Sequence, residues 1–264
     1  SGDGKLDAVV SVAAQNSVYL LQGNGLGGFG GAIPYPCGMD PLGLIVTDMT
    51  GDGDLDVVVA NRAANMVSVL RGDGAGGLGA GEPFMVGMTP FSVEAADFNE
   101  DGVPDLVTAN NGDSTVSVLL GKGDGTFLPK RDFPTGRDAS SIATGDVNGD
   151  DYPDLAVANN SDGTVSVLLG KGDGTFLPKR DFPTGRFSAA LAVGDVNGDG
   201  HADLAVANDF VDNTVSVLLG RGDGTFLPTQ DVPTGGGPQS VALGDVNGDG
   251  RLDLAVANQS QSDS

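Results

Sequence analysis

A nine-residue loop returns along this chain at nearly constant spacing, and that recurrence constrains the fold more than any other feature. The last copy reads Asp245-Val246-Asn247-Gly248-Asp249-Gly250-Arg251-Leu252-Asp253 and runs directly into Leu254-Ala255-Val256-Ala257-Asn258. Oxygen-bearing side chains fall at loop positions 1, 3, 5 and 9, with glycine at 6. A hard divalent cation takes about six to eight oxygens, which a short loop supplies only by curling tightly. Alternate side chains then face inward, position 7 offers its backbone carbonyl, and the acid at position 9 closes the shell. Gly250 provides the positive φ such a turn demands. The first six positions fit the calcium pattern D-x-[DN]-x-[DN]-G, but the closing acid comes at position 9 rather than 12. The apolar, partly β-branched run that follows predicts a strand, so this is a calcium loop inside a β-hairpin.

One such loop would be an ordinary Asp/Asn/Gly turn. Five full copies at one period are not. The candidate ligands are Asp48, Thr50, Asp52, Asp54 and Asp56; Asp97, Asn99, Asp101, Val103 and Asp105; Asp146, Asn148, Asp150, Tyr152 and Asp154; Asp195, Asn197, Asp199, His201 and Asp203; and Asp245, Asn247, Asp249, Arg251 and Asp253. The residue at position 7 of each loop (Asp54, Val103, Tyr152, His201 or Arg251) is included for its carbonyl. The opening aspartates are 49, 49, 49 and 50 residues apart. A truncated copy starts the chain with Ser1, Asp3, Lys5 and Asp7, and is expected to be empty or poorly filled. Up to five Ca²⁺ sites are expected, headed by those of Asp97, Asp146, Asp195 and Asp245, with that of Asp48 next.

The rest of the period repeats as well: residues 121–137 and 170–186 are the same seventeen letters, GKGDGTFLPKRDFPTGR. A period near fifty indicates a propeller, solenoid or array. The unit from 140 to 188 predicts four antiparallel strands: A over 140–146, B over 155–159, C over 164–169 and D from Thr175 to about Phe182. An Asp-Gly hairpin joins C to D. A is built of small residues, B and C are nearly continuously apolar, as in strands covered on both faces, and D carries Pro178, Lys179 and Arg180, which suit an edge. This describes an all-β propeller of four-stranded blades better than a solenoid. The chain reads as one domain, 1–264, with three strands of a first blade, four whole blades and a final A and B. That count suits a fragment of a larger ring, with a five-bladed closure as the alternative.

The unit G-D-V-N-G-D-G-x-x-D-L-A-V-A-N followed by Gly-Asp-Gly-Thr-Phe resembles the FG-GAP/VCBS repeat, known from the integrin α-chain propeller and from secreted bacterial proteins. The resemblance implies calcium loops between strands A and B, and a parent ring of six or seven blades. Two departures matter: Thr50 in place of Asn at position 3, and Asp151 in place of Gly at position 6.

Charge fits this reading. Half of the 36 acidic residues are aspartates at odd positions of these loops, so most of the formal −23 is a metal requirement. An acidic surface also argues against nucleic acid or an anionic membrane as partner. No apolar run approaches the length of a membrane span, and the sole cysteine, Cys37, forms no disulfide within the chain. Millimolar calcium outside cells and weak extracellular sites predict a secreted or surface location.

Other candidates read as structural. Arg71-Gly72-Asp73 and Arg221-Gly222-Asp223 spell an adhesion tripeptide, but beside Lys-Gly-Asp at 122–124 and 171–173 they read as one C–D turn in a fixed frame. His201, the only histidine, reads as a solvated side chain. Between units the A–B and C–D turns are nearly constant. The B–C and D–A turns vary: Asn61-Arg62-Ala63-Ala64, Asn110-Asn111-Gly112, Asn208-Asp209-Phe210-Val211, and the neighbourhoods of Met88, Phe91, Arg137, Arg186 and Phe187. Variable loops on a rigid frame are where partners bind. The expected function is therefore a non-enzymatic interaction module with structural calcium, binding a protein or glycan at the B–C/D–A face. The alternatives are a lectin with sugar between blades, which the absence of Trp and the presence of only three Tyr disfavour, and a propeller-borne lyase or hydrolase.

Overall fold

A computed structural model describes residues 3–209 and 211–259. Its strands form six antiparallel sheets in chain order. The first holds β1 (Ala8–Val12), β2 (Ser17–Leu21) and β3 (Ile33–Pro36). The second holds β4 (Pro41–Thr47), β5 (Asp56–Asn61), β6 (Met66–Leu70) and β7 (Glu82–Met85), and the third β8 (Pro90–Ala96), β9 (Asp105–Asn110), β10 (Thr115–Leu119) and β11 (Arg131–Pro134). The fourth holds β12 (Ala139–Gly145), β13 (Asp154–Asn159), β14 (Thr164–Leu168) and β15 (Arg180–Pro183). The fifth holds β16 (Ser188–Gly194), β17 (Asp203–Asn208), β18 (Thr214–Leu218) and β19 (Gln230–Pro233), and the last β20 (Pro238–Gly244) and β21 (Asp253–Asn258). These are propeller blades with strands A to D in order, and the partial first and last blades are those the sequence predicts.

The chain divides into two compact units, Ser1–Asp132 and Phe133–Ser264. In each, the B and C strands of one blade pack on strands A, B and C of the next. Val58, Val67 and Val69 meet Val93, Leu106 and Leu119 in the first unit. Val165, Val167 and Ala158 meet Leu191, Leu204 and Leu218 in the second. In the third, fourth and fifth blades a phenylalanine from the C–D turn wedges edge-on against the D-strand aromatic of the preceding blade. Phe84–Phe127, Phe133–Phe176 and Phe182–Phe226 have centroids 4.9, 5.2 and 5.0 Å apart at 85°, 81° and 79°, geometries favoured by the ring quadrupoles. In the second blade Leu78 takes this place, beside Tyr35.

Two local features depart from the pattern read in the sequence. Strand D is broken: Phe176 makes only an isolated bridge to Gly170, and regular pairing resumes at Arg180. Pro178 between them has no amide to give a ladder. Strand A carries a bulge near its start in every blade that has one, as between Ala139 and Ser141, which two-residue periodicity does not reveal.

Candidate functional site

Each blade has two loop ends. At one end lie the A–B loop and the C–D turn; at the other lie the B–C and D–A turns. The A–B loops curl as expected, with positive φ at position 6 in Gly53, Gly102, Gly200 and Gly250, and in Asp151 at +67°. Position 4 is also left-handed, and in the third loop Glu100 holds it at +58°. Sequence reading missed that second constraint, although glycine at Gly51, Gly149, Gly198 and Gly248 was its signal.

The position-1 carboxylate faces into the loop and accepts backbone amides. Asp146 takes the Gly149 amide at 2.7 Å and the Asp151 amide at 2.9 Å. Amide donors of this kind, that of the position-6 glycine foremost, hold Asp48, Asp195 and Asp245 below the usual carboxylate range. Position 3 turns toward position 5: Asn99, Asn148 and Asn197 donate Nδ2 to Asp101, Asp150 and Asp199 at 2.9, 2.8 and 2.9 Å. Thr50 makes instead a long 3.4 Å contact to Asp48.

The position-9 aspartates do more than close a loop. Asp56, Asp105, Asp154 and Asp203 are at most 1% exposed. One oxygen of Asp154 accepts the Val147 amide of its own loop at 2.9 Å. The other accepts the Gly170 amide at the start of the C–D turn at 2.7 Å. Asp56, Asp105 and Asp203 repeat both bonds, so each carboxylate brackets two turns. Burial pushes these carboxyls up, to about 6 in Asp105 and Asp154. In the first blade Asp7 holds Gly23 the same way. There Lys5 places its ammonium 3.0 Å from Asp3, the position-5 acid, while Ser1 lies outside the described residues.

Position 7 was read for its carbonyl only. Its side chain in fact crosses to the C–D turn of the same blade and lies on a turn glycine. A Cβ at Gly74 would stand 2.4 Å from the Asp54 carboxylate, at Gly172 2.7 Å from the Tyr152 ring and at Gly222 2.4 Å from the His201 ring. Asp54 therefore does not add its charge to the loop interior. This frame also corrects the adhesion-tripeptide reading. Gly72 matches Gly170 and Gly220, since all three donate to the bracket aspartate, whereas Gly222 is the left-handed residue two places on. The two Arg-Gly-Asp tripeptides thus occupy different registers. Arg71 stands where Leu120, Leu169 and Leu219 stand, and pairs with Glu82 at 3.2 Å.

The opposite end is fastened by a buried side-chain network. Asn61, Asn110, Asn159 and Asn208, all fully buried, donate to Ser68, Ser117, Ser166 and Ser216 at 2.9, 2.9, 2.9 and 2.8 Å. Ser117, Ser166 and Ser216 donate onward to Asp132, Asp181 and Asp231, each at 2.7 Å. Around this network the turns differ. Arg62 pairs with Asp40 and lies over Phe91 at 5.6 Å. Arg137 pairs with Asp162 at 2.7 Å, whereas Arg186 uses only its backbone amide on Asp212. Met88 is exposed, as is Val211 in the fifth blade's B–C turn, which is one residue longer than that of the fourth. Phe210 lies outside the described residues. Thr89 and Phe187 adopt φ of +56° and +57°, a region that β-branched and bulky residues rarely enter. Glu94, on an inner strand, was not singled out in the sequence; burial pushes its carboxyl up to about 7.

The loops fit calcium in kind, since every donor is an oxygen and each carboxylate keeps lone pairs beyond those its amides use. As arranged, the side chains satisfy their own loops, and among the described residues no three acidic, His or Cys side chains converge on one point. No helix among them is long and apolar enough to cross a membrane.

These features define propeller blades with an acidic loop at one corner of each. The chain belongs to the FG-GAP-like repeat family, whose profile matches residues 1–59, 48–108, 97–157, 146–206 and 195–256. No curated protein matches it in sequence. Among solved structures it is similar to a lectin from Agrocybe aegerita that recognises non-reducing terminal N-acetylglucosamine, with a TM-score of 0.59 and 21% identity over 96% of this chain and 71% of that one. It is also similar to a functionally unknown protein from Desulfotomaculum acetoxidans (0.65, 16%, 89% and 68%). A third is virginiamycin B lyase from Staphylococcus aureus (0.63, 13%, 95% and 73%). At such identities the likeness shows the fold alone.

Proposed function

We propose that this chain is a calcium-stabilised extracellular interaction module whose B–C/D–A end meets a protein or glycan partner. The observation that carries the binding half is backbone strain kept in variable turns. The left-handed position itself repeats, with Asp40, Asp138 and Gly237 in the other blades, but Thr89 and Phe187 hold it at φ of +56° and +57° with β-branched and bulky side chains, and strain of this kind persists where the surroundings enforce it, typically at binding sites. At Thr89 the Asn65 side chain supplies part of that enforcement by accepting the Thr89 amide at 2.8 Å.

Calcium would be held by the side chains at positions 1, 3, 5 and 9 with the position-7 carbonyl, and it would supply positive charge among three carboxylates. The chain's own groups do the rest. The position-1 carboxylate gathers the loop amides, and the position-9 carboxylate ties loop to turn.

The test is retention of arrayed extracellular proteins and glycans in millimolar Ca²⁺, repeated with Arg186→Ser/Phe187→Ser. Hits lost in this variant support the reading, and hits that survive it remove the partner from this end. Turnover of a retained glycan would favour the lyase or hydrolase reading instead.

A further inference from the structure

The A–B/C–D end looks constant in sequence, yet one side chain there changes from blade to blade. Position 7 is Lys5, Asp54, Val103, Tyr152, His201 and Arg251 in turn, and in the first five of these blades it lies beside a turn glycine of the C–D connection. Two of the six, in neighbouring blades of the second unit, are rings. The Cβ position of Gly172 is 2.7, 2.9 and 3.1 Å from three consecutive Tyr152 ring atoms, Cε1, Cδ1 and Cζ. Near-equal distances to an atom and both its neighbours mean that the ring's face, not its edge, covers the glycine. His201 lies on Gly222 in the same manner, at 2.4, 2.6 and 3.1 Å from Nδ1, Cε1 and Cγ. Tyr152 is half-buried and His201 exposed. The two blades are joined at this end, since the Gly224 amide of the fifth blade's turn donates to the Val147 carbonyl of the fourth blade's loop at 3.1 Å.

The residues beside each ring define what could sit on it. Lys171 precedes Gly172 and Asp173 follows it; Arg221 precedes Gly222 and Asp223 follows it. Thr175 and Thr225 add hydroxyls, held on Asp173 and Asp223. In the fourth blade these groups face one another, Lys171 Nζ lying 3.6 Å from the Asp173 carboxylate and 3.0 Å from the Thr175 hydroxyl, so the charge beside the ring is paired. A cation or an anion over the ring would have to break that pair to find a partner, and would meet the like charge of its other half. A neutral polyol ring meets neither objection. Its C–H face suits the aromatic face, and its hydroxyls can both donate and accept.

We propose that the second unit carries two carbohydrate-stacking platforms at its A–B/C–D end, Tyr152 on Gly172 and His201 on Gly222. This lies at the opposite end of the blades from the partner surface proposed above, so either can fail without the other. The sole histidine makes the test direct, because its ring C–H resonances have no overlap from another imidazole. The full chain, in Ca²⁺, is titrated with a panel of methyl glycosides while the His201 signals are followed by ¹H–¹³C NMR. The expected result is a saturable shift with at least one glycoside. For that glycoside, isothermal titration calorimetry should show a Kd raised about tenfold at one platform in Tyr152→Val, which gives this blade the Val103 side chain already carried by the third blade, and the Arg186→Ser/Phe187→Ser variant should bind as the parent does. No shift with any glycoside would overturn the proposal. So would a shift with choline only, or an affinity by isothermal titration calorimetry that is unchanged in both Tyr152→Val and His201→Val.

Discussion

The two loop ends of a blade satisfy their polar groups in opposite ways. At the A–B/C–D end, carboxylates accept backbone amides from nearby residues; Asp146 takes its donors from within five residues. At the B–C/D–A end, fully buried asparagines reach across strands to serine and on to aspartate, as in Asn159–Ser166–Asp181. The first arrangement gathers negative charge that its amides only partly offset, and so invites a cation. The second is nearly closed on itself and leaves the turns above it free to vary. One scaffold thus separates an end that gathers like charge from an end whose charges are paired and whose buried polar groups bond one another.

Removing calcium should break that contrast most strongly. Empty loops leave mutually repelling carboxylates, and each ion at a hundred times its dissociation constant adds about 2.7 kcal/mol. We expect the melting temperature in EDTA to fall well below that in millimolar Ca²⁺; equal values would end the calcium reading.

A pair of substitutions separates the two ends further. Asp154→Ala strips the acceptor from the Val147 and Gly170 amides and should cost about 3 kcal/mol in EDTA, with a larger loss in Ca²⁺. Asn159→Ala should cost about 2 kcal/mol equally in both buffers. Denaturant titrations of the two variants, with and without metal, would show whether calcium acts at one end only.

Acidity offers a gentler probe. Asp105 and Asp154, pushed up to about 6, and Glu94, pushed up to about 7, bind protons more tightly folded than unfolded. They stabilise the metal-free protein at acid pH, and this contribution is lost as pH rises from about 4 to 7. Below that window Asp48, Asp195 and Asp245, whose folded values are lowered, reverse the slope. In Ca²⁺ the trend between about pH 4 and 7 should invert, because ligation needs deprotonated carboxylates. A metal-free protein that grows steadily more stable across this range would contradict the assignment.

The smallest effect is expected at the first loop, where Lys5 already sits on Asp3. Asp199→Ala should remove one bound ion in a calcium titration, and Asp3→Ala none. Equal losses would make the truncated loop a working site.

The period, the blades and the odd-position acids were all legible in the sequence, because each is a local pattern. What escaped reading depends on contacts between turns. Asp56 and Gly72 are sixteen residues apart, and nothing in either neighbourhood announces that one holds the other. The same blindness hid the path of Tyr152 onto Gly172 and merged two Arg-Gly-Asp tripeptides that lie in different registers. The hexapeptide Asp-Leu-Ala-Val-Ala-Asn shows the limit most directly. In β13 and β17 every residue of it is buried, while in β21 none is. A fourth-blade or fifth-blade copy has a C strand beside it and, among the described residues, β21 does not, so burial here belongs to the neighbour and not to the letters.

The phenylalanine wedges carry a further consequence. Phe133–Phe176 and Phe182–Phe226 are the same coupling made twice, with the same parts and nearly the same pose. Residues 121–137 and 170–186, which carry the D-strand half of each, are identical. If the fourth blade were excised between matching points, Phe133 would be presented with Phe226 in place of Phe176, one phenylalanine for another. The joint is standardised, so blade number is a property of the gene's copy count rather than of any one interface.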